Sequence, residues 1–149
     1  MVIDAALRRA TASDVDSIVS VFRRARETCM PYLPRLHTIA DDIKYFTDVV
    51  AGQGAVWVAE KDRIAGFCAY HLEWLDHLYV DPAHQRKGIG SALLAIATRE
   101  HRVLNLWVFQ KNAPAIRFYE KHGFMLVKKT DGSENEEREP DALYRRVDR

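Results

Sequence analysis

Apolar residues recur along the chain with two different periods, which together predict an alternation of strands and helices. After Ser13, the spacing of Val15, Ile18 and Phe22 puts apolar side chains on one face of a helix. Short apolar or alternating runs between glycine, proline or charged turns predict strands. Helices are predicted to begin near Ser13, Thr38, Gly90 and Asn112, and strands to cover Val2–Arg9, Ala55–Glu60, Ile64–Tyr70, Trp74–Val80, Val103–Phe109, Phe124–Lys129 and Ala142–Arg146.

The order of these elements predicts one α/β (α+β) domain over residues 1–149. Short connections join the three strands between Ala55 and Val80, which favours an antiparallel meander. The strand Val103–Phe109 is apolar on both faces, as expected of a central strand covered on two sides. We therefore expect a mixed, mostly antiparallel sheet of six to seven strands with helices on both faces.

Residues at the predicted helix ends have the chemistry of caps. Ser13 and Thr38 carry hydroxyl groups that can accept a hydrogen bond from a first-turn amide, so both are expected to be N-caps. Asn112 with Pro114 is typical of the start of the last helix, and Gly123 of its C′ position.

The composition excludes several classes of protein. With a formal net charge of +1, the chain lacks the basic excess of a nucleic-acid-binding protein, and no apolar window is long enough for a membrane span. No signal peptide is recognisable, and two cysteines do not make a disulfide framework, so a cytoplasmic protein is expected. The spacing of the histidines and cysteines predicts no metal site.

The most informative stretch is LYVDPAHQRKGIGSALL, which covers residues 78–94. A strand enters a short loop, and glycines at Gly88 and Gly90 open a helix. Unpaired amides at a helix N-terminus favour an anion, and glycine lets a phosphate approach the backbone closely, so this is a candidate pyrophosphate site. The spacing fits neither a Walker A loop nor a dinucleotide fingerprint, whose third glycine would stand at Leu93.

This stretch resembles the acyl-CoA motif of the GNAT acetyltransferase superfamily, Gln/Arg-x-x-Gly-x-Gly/Ala, at Gln85, Gly88 and Gly90. A second block from Asn112 to Phe124 resembles the later signature of that superfamily, with a tyrosine four residues before a Gly-Phe pair. Both blocks occur in the expected order and separation, and the resemblance extends over essentially the whole chain.

The resemblance implies that acetyl-CoA is the cosubstrate. Amides from Lys87 to Ser91 would hold the pyrophosphate, the strand at residues 78–80 would pair with the pantetheine arm, and Asn112 would bond that arm. Tyr119 would donate a proton to the departing thiolate while an amine attacks the thioester directly. The implied cofactor-binding residues are Leu78, Tyr79, Val80, Gln85, Arg86, Lys87, Gly88, Ile89, Gly90, Ser91 and Asn112.

Three residues are candidates for the general base. Strand alternation would put Asp76 on one face with Trp74 and Leu78, and His77 on the other face with Leu75 and Tyr79. Asp76 is favoured by its offset from Gln85 in the family, and His77 by its intrinsic pKa. Glu73, at the preceding turn, is the third candidate.

The acceptor is expected to be an unidentified amine. The segment Met30–His37 is a candidate roof of the acceptor pocket, and the acidic run Glu134–Glu139 a candidate attraction for a cationic amine, although each is also typical of an ordinary loop. Alternative functions are an acyl-CoA-binding module without turnover and an acyltransferase for another acyl-CoA. Similar proteins often dimerise through an apolar edge, so a homodimer is a further expectation.

Overall fold

The computed structural model describes residues 3–148, which form a seven-stranded sheet and four α-helices. The strands are β1 Ala6–Arg9, β2 Ala55–Lys61, β3 Arg63–His71, β4 Trp74–Val80, β5 Val103–Phe109, β6 Met125–Lys129 and β7 Asp141–Val147. The helices are α1 Val15–Cys29, α2 Ile39–Ala51, α3 Ile89–Glu100 and α4 Ala113–Lys121. The predicted fold class is confirmed; Val2, the predicted start of β1, lies outside the described residues.

Strand order in the sheet is β1-β2-β3-β4-β5-β7-β6. The first four strands are antiparallel neighbours, and β5, β7 and β6 form a second antiparallel set. Where the two sets meet, β4 and β5 run parallel, and α3 makes the crossover between them. This parallel junction between β4 and β5 positions the candidate active site.

Each face of the sheet carries its own apolar core. On one face, Leu93 and Leu94 of α3 pack with Leu104 and Leu106 of β5. On the other, side chains of α1 and α2 pack on β2 and β3; examples are Ile18, Phe46, Val58 and Phe67. Burial of both faces accounts for the apolar runs in the central strands.

The starts of α1 and α2 test two of the predicted helix caps. Thr38 caps α2 as predicted, because its Oγ1 accepts from the Asp41 amide at 3.1 Å and the Asp41 carboxylate accepts from the Thr38 amide at 2.9 Å. The prediction that Ser13 caps α1 is wrong. A 3₁₀ turn over 12–14 precedes α1, and buried Asp14, which accepts from the Thr11 amide and pairs with Arg8, is the residue at the N-cap position.

No helix within residues 3–148 is long and apolar enough to cross a membrane.

Candidate active site

The two halves of the sheet separate immediately after they join. Among the described residues, Trp74 with Asn105 is the only pair that connects β4 to β5. Asn105 secures this point, because its main-chain and side-chain N–H groups both donate to the Glu73 carbonyl, at 2.7 and 3.1 Å. Beyond Trp74 the strands diverge, so the edge of β4 that faces β5 is left without a neighbouring strand.

A β-bulge in β4 changes which side chains share a face. Ala69 pairs with His77 and Tyr70 with Leu75, so Asp76 is an extra residue in β4. Leu75 therefore packs in the core beneath α3, while His77 contacts Phe46 and Phe67 on the opposite face. The predicted alternation, with Leu75 and His77 on one face, is wrong because a bulge inverts the pattern.

The loop before α3 has the backbone conformation of an anion site. Arg86 and Gly88 both have positive φ, 64° and 83°, and Gly88 is the N-cap residue of α3. No side chain of the described residues caps this helix, so its first-turn amides at residues 89–91 point away from the helix without a partner. Desolvation lowers the pKa of neighbouring His84, and the charges of Lys87, Arg63 and Lys61 lower it further, so the loop lies in a cationic environment.

Between the diverging strands lies a cleft of about 600 Å³, which we call the cofactor cleft. Its walls come from β4, β5, the loop before α3, the start of α4 and the end of α1. Apart from Lys87, all the predicted cofactor-binding residues line it, and so do Asp76, His77 and Tyr119. Lys87 and Glu73 lie outside this lining.

Tyr119 is held in the cofactor cleft by the end of α4. Gly123, with φ of 90°, ends the helix as predicted: the Gly123 amide donates to Glu120 and the Phe124 amide to Tyr119, at 3.1 and 3.0 Å. This motif brings the Phe124 ring to 5.5 Å from the Tyr119 ring. Burial raises the pKa of Tyr119, so its phenol stays protonated and is a potential proton donor.

Two of the predicted cofactor-binding residues, Asn112 and Gln85, also form hydrogen bonds within the protein. Asn112 caps α4, since its side-chain oxygen accepts from the Ala115 amide at 3.3 Å, and its Nδ2 contacts Met30. Gln85 Nε2 donates to the Val80 carbonyl at 3.1 Å, which fixes the end of β4 against the loop. Both residues therefore shape the cleft.

A second cavity, of about 400 Å³, lies on the α1 and α2 side of the sheet; we call it the acceptor cavity. Every residue of the predicted roof segment Met30–His37 except Tyr32 lines it, and so do Glu136 and Glu137 of the acidic loop between β6 and β7. Met30 and His77 line both cavities. The two cavities therefore meet at these side chains.

Ion pairs tie together the segments around the acceptor cavity. Three of them join α1 to α2, to the 30–37 segment and to the acidic loop, and the fourth joins the 30–37 segment to the acidic loop. The pairs are Arg23–Asp42 at 2.6 Å, Arg35–Glu27 at 2.9 Å, His37–Glu136 at 3.0 Å and Arg26–Glu137 at 3.2 Å. The cavity therefore has a polar wall built by side chains from distant parts of the chain.

Comparison with known families gives this arrangement an identity. The family model described as "Acetyltransferase (GNAT) domain" matches residues 52–126, which hold β2 to α4 and with them most of the cofactor cleft. The chain belongs to the GNAT acetyltransferase family. It is an acetyl-CoA-dependent N-acetyltransferase, as the two sequence blocks predicted, and acetyl-CoA is its cosubstrate.

Similar proteins support the assignment to this family. The chain is 31% identical over 123 residues to "Peptidyl-lysine N-acetyltransferase YiaC" of Escherichia coli (strain K12), with 81% of this chain and 84% of that protein covered. It is 24% identical to "Peptidyl-lysine N-acetyltransferase YjaB" of Salmonella typhimurium, with 84% and 86% covered. The PaiA N-acetyltransferase of Thermoplasma acidophilum, solved with coenzyme A, has the same fold, with a TM-score of 0.78, 20% identity, and 96% and 98% covered.

The three candidate bases of this acetyltransferase have different environments. Asp76 lines the cofactor cleft, but its carboxylate pairs with His71 at the exposed end of the β3–β4 hairpin. Desolvation raises the pKa of Asp76, and the pairing with His71 opposes that shift. Glu73 is exposed in the turn and holds Asn105 through its main-chain carbonyl.

His77 is the candidate that lies between the two cavities. Rings of Phe22, Phe46, Phe67 and Tyr79 surround its imidazole, with centroids 5.2 to 6.4 Å away. Burial, with a smaller contribution from the Arg26 charge, lowers the pKa of His77 to about 4. The imidazole of the acetyltransferase is therefore neutral at neutral pH.

Sequence reasoning missed Tyr45 and Arg26, although both line the acceptor cavity. Tyr45 lies on α2 and bonds His77 through its hydroxyl, at 2.8 Å. Arg26 reaches from α1 to the Tyr79 hydroxyl and to Glu137. Helical periodicity would have placed them near the apolar faces of α1 and α2, but no local motif distinguishes them from surface residues.

Proposed function

We propose that this acetyltransferase transfers the acetyl group of acetyl-CoA to the side-chain amine of a lysine residue in a peptide or protein. The observation that carries the proposal is the meeting of the cofactor cleft and the acceptor cavity at Met30 and His77. Two reactants held in adjoining cavities react by direct attack in a ternary complex, without an acetylated enzyme. Both YiaC and YjaB are named peptidyl-lysine N-acetyltransferases, which supports a lysine acceptor.

Charge in the acceptor cavity also favours a cationic acceptor. Its lining contains five carboxylates, from Glu27, Asp41, Asp42, Glu136 and Glu137, against three guanidinium groups and the His37 imidazole. Four of these carboxylates are paired with the four cationic groups, so the net excess is one carboxylate. That excess favours an ammonium group over an anion.

The proposed roles in the cofactor cleft follow from the free hydrogen-bonding groups. The amides of residues 89–91 hold the pyrophosphate, and the unpaired edge of β4 pairs with the pantetheine arm. An amide on that edge polarises the thioester carbonyl. Tyr119, kept protonated by burial, donates to the leaving thiolate.

The proposal includes a compartment and an assembly. Both cysteines are free thiols, as is usual in the cytoplasm, where we propose that the enzyme acts. For a homodimer, the edge strand β6 offers exposed Met125, Leu126 and Val127 as an apolar contact, which size-exclusion chromatography with light scattering would test.

The proposed function is tested by free-thiol release from acetyl-CoA with lysine-containing peptides. Both peptides have an acetylated N-terminus, and the matched control has arginine in place of lysine, so it keeps the charge but offers no primary amine. We expect release only with lysine, and a fall in kcat of about 10²-fold in Tyr119→Phe. Equal release with both peptides, or none with either while acetyl-CoA binds, would contradict a lysine acceptor.

A further inference from the structure

Tyr45 and His77 form a polar link from the acceptor cavity to the place where the two cavities meet. Tyr45 is 49% exposed and lines the acceptor cavity, and its hydroxyl lies 2.8 Å from His77 Nε2. His77 lines both cavities. A group bound in the acceptor cavity can therefore reach the imidazole through one hydroxyl group.

The imidazole has no competing hydrogen-bond partner. Among the described residues, His77 Nδ1 is buried without any hydrogen bond, so the Tyr45 hydroxyl is the only polar group bonded to the ring. The aromatic rings pack around the buried Nδ1 and keep water from that nitrogen, although His77 as a whole is partly exposed. Burying Nδ1 without a partner costs free energy, and an unsatisfied polar atom at the place where the two cavities meet points to a functional role.

We propose that Tyr45 is a catalytic residue, whose hydroxyl oxygen takes the proton released by the acceptor amine as its own proton passes to His77 Nε2. This inference rests on the proposed function, because it assumes an amine in the acceptor cavity. It adds Tyr45, which the sequence analysis did not single out, to the candidate catalytic residues. It also assigns the proton transfer to His77 Nε2, which receives the proton from the Tyr45 hydroxyl.

The proton and bond changes balance over one turnover. The neutral lysine amine forms an N–C bond to the thioester carbon, and the C–S bond then breaks. One amine proton moves to the Tyr45 oxygen and the Tyr45 proton to His77, while Tyr119 protonates the thiolate. Afterwards the imidazolium gives its proton to water and Tyr119 regains one from water, so no other reactant is needed.

The weak basicity of His77 fits this particular step. An imidazole with a pKa of about 4 cannot remove the proton of a free lysine ammonium, whose pKa is about 10.4. An ammonium group drawn into the acceptor cavity must therefore lose its proton to water before the amine attacks. As the C–S bond breaks, the nitrogen becomes that of an N-protonated amide, which is a strong acid. Even a weakly basic imidazole can then accept the proton through Tyr45 and return it quickly to water.

The competing candidate, Asp76, faces a different side of the site. Its carboxylate pairs with His71 near the exposed hairpin end and is not bonded to any residue of the acceptor cavity wall. Asp76 therefore has no link to that cavity comparable to the Tyr45–His77 bond.

The test combines Tyr45→Phe and His77→Phe, which both keep an aromatic ring in place, with their double variant. Tyr70→Phe is the matched control, because it removes a hydroxyl bonded to Glu100 at 2.7 Å outside both cavities. We expect each single variant to lower kcat for a lysine peptide about 10²-fold with the KM for acetyl-CoA unchanged. The double variant should be no slower than either single variant, since the two residues act in one step.

The outcomes separate this inference from the proposed function. Turnover by Tyr45→Phe within about twofold of the wild-type rate would overturn the inference alone, and so would losses that multiply in the double variant. A rise in the peptide KM without a fall in kcat would also overturn it, since that would make Tyr45 a binding residue. Absence of lysine acetylation in the wild-type enzyme would overturn both proposals.

Discussion

The cofactor cleft and the acceptor cavity adjoin each other but are built by different means. The cofactor cleft takes its anion site from main-chain amides within one short segment, residues 86–91, and its walls from the two strands that diverge beside it. The acceptor cavity is lined by side chains from α1, α2, the 30–37 segment, β4 and the acidic loop. Recognition by the main chain leaves a local sequence motif, whereas recognition by assembled side chains does not.

Among substitutions that would distinguish the two cavities, the largest loss of acetyl-CoA affinity is expected at Ser91, in the first turn of α3. A carboxylate there interacts favourably with the helix dipole but occupies the proposed site of the pyrophosphate. Ser91→Glu should therefore weaken acetyl-CoA binding by about 10²-fold or more in calorimetric titration, without loss of thermal stability. Ser91→Gln, of the same size without the charge, should lose far less; equal losses would show that size, and not the anion site, is responsible.

A second effect concerns stability at the meeting point of the cavities. His77 has a folded-state pKa of about 4 against an unfolded value of about 6.5, so the unfolded chain takes up a proton first as pH falls. Stability is therefore lost as pH decreases from about 6.5 to about 4. Since His77 is partly exposed, we expect a loss on the order of 1 kcal/mol between pH 7 and pH 5.

Urea unfolding of the wild type and of His77→Phe at both pH values checks this expectation. The variant should lack the part of the loss that His77 causes, because it has no imidazole to protonate. Parallel pH dependence in the two proteins would show that His77 is not held neutral by its surroundings.

A smaller effect is expected from the acidic loop. Glu137→Gln keeps the size of a side chain that meets Arg26 but removes a charge from the acceptor cavity. The KM for a lysine peptide should rise about fivefold, roughly 1 kcal/mol, with the KM for acetyl-CoA unchanged.

Glu134→Gln is the control for the loop variant. Glu134 belongs to the same acidic run but is exposed and lies outside the cavity lining among the described residues. It should leave the peptide KM within about 1.5-fold of the wild-type value. If both variants raise the KM equally, the loop acts through its overall charge and not through Glu137.

The sequence predicted features that consecutive residues form, but not features that residues from distant segments form. The helix caps at Thr38 and Asn112 and the end at Gly123 were predicted, because each depends on the chemistry of a few consecutive residues. The bulge at Asp76 was not, because it is a mismatch between two strands and neither sequence marks it. The Tyr45–His77 bond joins residues 32 positions apart, so only the packing of α2 on the sheet reveals it.

The central claim is that the two cavities hold both substrates at once. Initial rates measured over a grid of acetyl-CoA and lysine-peptide concentrations test it most directly. Direct transfer in a ternary complex predicts double-reciprocal lines that intersect, and an enzyme whose mass is unchanged after incubation with acetyl-CoA alone. Parallel lines together with a stoichiometric acetyl adduct on the enzyme would contradict it, since they indicate a covalent intermediate.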